Sequence, residues 1–479
     1  MSTFHEQAMR LVYQQVLHRL LGFFNRHERI ALQLLIQRLL VAGGGADRIG
    51  HFRIMVIHEG GKESAYALAF LRAAQLSIAA RTPATFTLRV SVLRQPRMTP
   101  SVMARIQHQC NELFLYDDRR VEVVHSDEQG VQAIDRHTSF PEKHVGSDRI
   151  KVLMSGHLSQ GDARATFLYT DLLSRAKLFR NACQWGERVD ALIDRRPPLH
   201  LGQYTRWILS VAKHLGYPSP GMSSDPFEHA VNLCLTLDEA YKSLLCPAAS
   251  RVQCASVSSG GHGIGIINVF DCLSHEADVL NSEVLLFTEG QLHANQLDVD
   301  EPQIAVILLA AHLQGVRQEI QKQDYCNAVS NYLHRALLEN ESNLRYKGQL
   351  IRHMSNVFNT PNKIQPLRVL ISQYLDDLHG LTDTHLGCVI HSPFIEQGAG
   401  LTVFLEQCYP EKLPQTGEIH DVLLAGRPVS SPHVSWLETI SGLPLQCLQA
   451  LYAVQKIDVN ERRSIVDVMQ FHDPHKSAG

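Results

Sequence analysis

The sequence predicts an α/β fold: a parallel sheet in the N-terminal half, followed by a mainly helical C-terminal half with a small β-meander. Three observations predict it. Between residues 46 and 196, short runs of branched apolar residues alternate with longer stretches of helical periodicity. That is the pattern of strands joined by helical crossovers, and hence of parallel pairing with helices on both faces. From Glu301 to Gly380, and again over 432–470, the texture is helical. Between these halves, 251–258, 263–270 and 283–288 read as three short strands in succession.

In chain order, residues 3–24 and 27–42 form two amphipathic helices, with Leu17, Leu20, Leu21 and Phe24, then Ile30, Leu34, Leu35 and Leu39, at helical spacing. Asn25 caps the second helix and Gly43-Gly44-Gly45 ends it. Strands are predicted at 52–57, 85–93, 121–125 and 150–154 (Ile150-Lys151-Val152-Leu153-Met154), with helices near 63–78 and 99–113 between them. Another helix is predicted from Ala163 to Leu192. Arg195-Arg196-Pro197-Pro198 then breaks the pattern, and Tyr217-Pro218-Ser219-Pro220-Gly221 makes a surface loop before a helix at 226–245. Residues 386–405 read as a strand and a loop into a helix. The expected organisation is N-terminal helices (1–45), an α/β nucleotide-binding-like domain (46–196), a helical and β-meander segment (197–300) and a helical C-terminal domain (301–479).

At 479 residues the chain is longer than one ordinary domain, and 44% apolar against 19% charged residues describes a globular protein with ample core. No run of about 18 uncharged apolar residues is present, which excludes a predicted membrane span. The N-terminal stretch carries charges through its apolar part and does not read as a secretory signal. Ten cysteines without a C-x-x-C pair fit a reduced, cytoplasmic setting. Non-classical export leaves no such mark and stays open. Residues 1–215 hold 29 Lys plus Arg and 19 Asp plus Glu, and 24 of those cations are arginine. The remainder holds 16 and 29. A basic half beside an acidic half fits RNA or another polyanion at the first and a protein partner at the second; docking of the halves on each other is the alternative.

The chemistry concentrates at Phe52–Leu71, where a strand meets Glu59-Gly60-Gly61-Lys62-Glu63-Ser64 and the turn opens a helix. Backbone N–H groups at such a helix start receive phosphate oxygens. Gly60 and Gly61 would let a phosphate approach the main chain, Lys62 would add a charge and Ser64 a hydroxyl. Neither the Walker pattern nor G-x-G-x-x-G is present. A second segment, Gly156-His157-Leu158-Ser159-Gln160-Gly161-Asp162 through Thr166, follows the fourth predicted strand. Both loops would then face one crevice at the carboxyl ends of the strands.

These two segments resemble the PP-loop ATP pyrophosphatases, a HUP-like superfamily. Their signature is a strand followed by S-G-G-x-D-S opening a helix, and their tRNA thiolase and tRNA-lysidine synthetase branches carry a later G-H-x-x-D-D-x-x-x-T. The likeness covers roughly residues 26–185. It implies a HUP-like sheet that binds ATP and Mg2+ and adenylates a tRNA base or other polyanionic substrate. Gly60, Gly61 and Ser64 would cradle the phosphates, Lys62 would stabilise the leaving pyrophosphate, Asp162 would hold magnesium, His157 would orient the nucleotide, and Gly156 would belong to the same nucleotide-binding set. The chain departs from the pattern at Glu59 and Glu63, which stand where the family has serine and aspartate. The later motif has one extra residue and a single aspartate, and the thiolase cysteine pairs are missing. Glu59 would repel a pyrophosphate unless a metal or an arginine intervenes. The alternative function is therefore a non-catalytic interaction or regulatory protein, including a secreted bacterial effector, acting through its acidic helical half.

Other segments read as structural. Ser258 to Gly265 is a glycine-rich hairpin turn, and Ser274-His275-Glu276 with Asp278 is a solvated loop. His385, Cys388 and His391 are buried structural residues, and His472-Asp473-Pro474-His475 is a disordered tail. Val434 to Leu451 has helix–turn–helix texture, but with no Arg or Lys before Lys456 it reads as a packing hairpin.

Overall fold

The computed structural model describes residues 3–94, 98, 100–138, 145–195, 198–217, 226–245, 263–272, 302–339, 361–425, 432–454 and 464–474. Two helices, α1 (Thr3–Phe23) and α2 (Arg26–Ala42), precede the sheet. Asn25 caps α2 as its sequence position predicts: its side chain accepts from Glu28 N at 2.9 Å, and Glu28 Oε2 accepts from Asn25 N at 2.8 Å. The sheet elements follow as β1 (Arg53–Ile57), α3 (Lys62–Ala79), β2 (Thr87–Leu93), α4 (Pro100–Glu112), β3 (Val121–Asp127) and β4 (Gly130–Ala133). Then come α5 (Val145–Leu158), α6 (Thr170–Gln184) and β5 (Ala191–Asp194), α7 (Pro198–His214), α8 (Pro226–Leu245) and β6 (Gly265–Asn268).

The six strands form one sheet in the order β4-β3-β2-β1-β5-β6, parallel except for β4 against β3. Side chains alternate across it as strand geometry demands. Ile54, Val56, Leu88, Val90 and Val92 join one core with α1 to α4, whereas Met55, Leu93 and Leu192 meet Leu178, Phe179 and Ala182 of α6 on the other face. Both faces are thus covered, and the order of strand addition reverses at β1: β2 and β3 lie on one side of it, β5 and β6 on the other. That switch in strand order leaves a crevice at the carboxyl ends of β1 and β5. Arg89, fully buried on β2, fixes α6 there by donating to Ala182 O at 2.9 Å and to Glu122 Oε2 at 2.7 Å.

Three expectations change. Residues 150–154 are not a strand; they lie inside α5, which packs among helices and buries Val152, Leu153 and Met154. A short branched run surrounded on every side by apolar partners satisfies either periodicity, and the neighbouring helices decide it. The helix expected over 163–192 ends at α6, and its last residues form β5, the fourth parallel strand. Within the expected meander, 251–258 and 283–288 lie outside the described residues. The middle piece is β6, which joins the large sheet parallel to β5, beyond the boundary expected at 196.

The C-terminal half is helical: α9 (Pro302–Ile320), α10 (Tyr325–Glu339), α11 (Pro361–His379), α12 (Asp383–His391), α13 (Leu401–Cys408), α14 (Thr416–Leu424), α15 (Pro432–Ser441), α16 (Leu445–Ala453) and α17 (Ile465–His472). It shares one apolar core with α5, α7 and α8. The strand expected after 386 is α12 instead. Asp473, expected in a disordered tail, is buried, with its carboxylate bound by Arg164 at 2.7 Å and Tyr169 at 2.9 Å. The Gly442 turn carries φ +69, and Leu445, Leu448 and Leu451 of α16 face inward, so the α15–α16 pair packs as a hairpin. Among the described residues, no helix is long and apolar enough to cross a membrane.

Candidate functional site: the crevice between β1 and β5

The loop leaving β1 is built as the sequence predicts, with Gly61 as the N-terminal cap residue of α3. Its surroundings differ from those of an open phosphate loop. Gly60 has φ +78, and a Cβ placed there would lie 2.7 Å from Val102 Cγ1 and 3.1 Å from Ile106 Cγ1 of α4. The glycine is therefore required by backbone angle and by the close approach of a helix. Gly60 and Gly61 are both buried.

Ser64 is 1% exposed, and its hydroxyl is engaged inside the turn. It donates to Gly61 O at 2.9 Å, accepts from Glu59 N at 3.3 Å and lies 3.1 Å from His58 Nδ1. A hydroxyl carries one proton, so with that proton on Gly61 O the imidazole must donate from Nδ1. His58 is fully buried; burial, with the nearby Arg195 charge, pushes its pKa down to about 3 and keeps the ring neutral.

Glu59 occupies the crevice itself. Arg175 of α6 binds its Oε1, and Arg195, just past β5, binds its Oε2. Arg195 also donates to Ile57 O at 2.9 Å. The carboxylate side chain is 14% exposed and the two guanidinium groups 25% and 18%. Two cations thus surround one anion at the point where a doubly wound sheet ordinarily receives its ligand.

Gly60, Gly61 and Ser64 come together here, and Lys62 opens α3 beside them. The second predicted set does not join them. Gly156 and His157 lie in the last turn of α5 rather than after a strand. A Cβ at Gly156 would meet Val389 Cγ1 of α12 at 2.7 Å, so this glycine serves helix packing. His157 is fully buried against Phe394, ring centroids 5.5 Å apart, and among the described residues neither ring nitrogen has a hydrogen-bond partner. Burial alone pushes its pKa down to about 3. Asp162 caps the following helix, its Oδ1 accepting from Ala165 N at 2.8 Å. Asp162 lies at the start of that helix, which is π-helical over Ala165–Tyr169 before α6, and Arg175 lies more than two turns further along. Asp162 is thus held away from the crevice, and among the described residues no group of three His, Cys, Asp or Glu side chains is arranged to hold a metal ion.

Sequence reasoning missed His58, Arg175 and Arg195. Arg195 was legible in principle, because the residue after the strand beside β1 must face the crevice; β5 had been absorbed into a helix. His385 and Cys388 are buried, as expected for structural residues. No family model, curated protein or solved structure matches this chain.

Proposed function

We propose that this chain uses a nucleotide-binding type of sheet for recognition rather than for adenylation, as a non-catalytic interaction or regulatory protein. The observation that carries this reading is Glu59 seated between Arg175 and Arg195. The arginine that would offset Glu59 beside a pyrophosphate is present twice, but both guanidinium groups are already engaged by the carboxylate. Ser64 is engaged within its own turn, and α4 covers Gly60. The separation of His157 and Asp162 from the crevice removes the metal and orienting groups that adenylation would need.

The arginine excess also favours a protein partner over a polyanion. Arg38, Arg53, Arg72, Arg89, Arg120 and Arg164 each pair with a carboxylate of the chain. Arginines held in this way have less to offer an RNA backbone. The acidic helical half is then the expected contact surface.

One observation favours the second reading, an ATP-dependent enzyme of the PP-loop kind: the parallel strand order with a glycine turn after β1. Pyrophosphate release from ATP and Mg2+, assayed with bulk tRNA, separates the two. Release at background level supports recognition. Release that is abolished in Lys62→Ala would establish the enzyme.

A further inference from the structure

A second concave site lies away from the crevice, at the carboxyl edge of β2 and β3, where the sheet meets α5, α6, α8 and α11. It is a cleft of about 180 Å³. That room suits a ligand the size of one amino acid and is below the few hundred Å³ ordinary for larger cofactors. Val152, Phe167 and Leu178 give it an apolar lining.

Charge is balanced around the cleft, and most of it is already paired. Lys151 holds Glu128 at 2.8 Å, with Asp148 at 3.9 Å. Lys242 holds Asp238 at 2.7 Å. Lys177 lends its field to Glu128 without forming an ion pair. Among the described residues, Asp171 and Lys177 are lining groups of opposite sign with no ion-pair partner. Both lie on α6, six residues or about 9 Å apart along the axis, with Ser174 between them. The flexible four-carbon stem of Lys177 can bring its ammonium back over Ser174.

We infer that this cleft binds a small zwitterion, a free amino acid or a dipeptide no larger than glycylglycine. The ligand's ammonium would meet Asp171, its carboxylate Lys177 and Ser174, and its side chain the Val152–Phe167–Leu178 surface. The charged lining is balanced, Arg94, Lys151, Lys177 and Lys242 against Asp127, Glu128, Asp148 and Asp171, so a ligand with a neutral pair of opposite charges fits better than a dianion such as phosphate. The site shares α6 with the crevice but none of its contacting residues. Its ligand is therefore independent of whether ATP binds.

The test is calorimetric titration of the full chain with the twenty standard amino acids and glycylglycine, with inorganic phosphate as the anion control. At least one zwitterion is expected to bind. Its N-acetyl and methyl-ester forms should bind at least tenfold more weakly, and so should the parent ligand to Asp171→Asn and to Lys177→Gln. Circular dichroism and thermal melts unchanged in both variants keep a loss of binding distinct from a loss of fold. Three outcomes overturn the inference: no binding at millimolar concentration, binding insensitive to both substitutions, or phosphate binding more tightly than every zwitterion.

Discussion

Arg195 binds the Glu59 carboxylate and the Ile57 carbonyl at once, and so ties the end of β5 to the end of β1 across the crevice. The two strands are paired at Ile54–Ala191 and Met55–Leu192, upstream of this contact. Arg175 reaches the other carboxylate oxygen from α6. Two adjacent strand ends and a helix on one face of the sheet therefore meet at one anion.

Removing that anion leaves two partly buried guanidinium groups facing each other. Glu59→Gln is expected to lose about 2 kcal/mol, short of the 3–5 kcal/mol for a fully buried pair. Arg195→Ala should lose a similar amount. The double variant should lose less than the sum, with a coupling of about 1–3 kcal/mol. Guanidinium denaturation of the four proteins measures the cycle; strict additivity would show that the contact contributes nothing.

Gly60→Ala is a purely local test of why the glycine is there. A side chain at φ +78 costs about 1–2 kcal/mol, and overpacking against Val102 and Ile106 adds about 1–3 kcal/mol. The loss is expected without any ligand present, read as a lowered denaturation midpoint. An unchanged midpoint would mean that α4 does not seal the loop.

His157 presents two buried ring nitrogens without partners among the described residues. Replacing it by an apolar residue of similar volume removes that desolvation cost. His157→Leu is expected to gain about 1–2 kcal/mol at pH 7. A loss of stability would indicate a polar role for the ring in this core.

Acid should unfold the protein through the same groups. His58 and His157 titrate near 3 when folded, below the ordinary histidine value of 6.5. Between those values the unfolded chain binds protons that the native chain does not, so stability falls as pH drops from about 6.5 towards 3. It is flat in respect of these groups above about 7. The slope from them approaches two protons, and His157→Leu should remove one. Urea midpoints at several pH values between 4 and 8, for both proteins, give the difference; identical slopes would contradict it.

The parts of the fold legible in the sequence were those whose signal is local. Asn25 caps its helix by its own side chain, and the branched runs at 53–57, 87–93 and 121–127 are strands because they are bounded by turns and long enough to pair. Ile150–Met154 carried the same composition, yet α5 lies among α8, α11, α12 and α16 and is buried on several sides. Its helical state is set by those distant partners. The four residues of β5 were too short to stand out beside α6; Gly186, with φ +56, was the available punctuation. For the site, the glycine turn was legible and its closure was not, since Val102, Ile106, Arg175 and Arg195 approach it from 40 to 135 residues away.

The central claim is that the crevice is occupied by the protein's own carboxylate rather than by a nucleotide. Isothermal titration of the full chain with ATP and Mg2+ tests it most directly. Heat no greater than that of dilution is the expected result. Saturable binding that disappears in Lys62→Ala would contradict it.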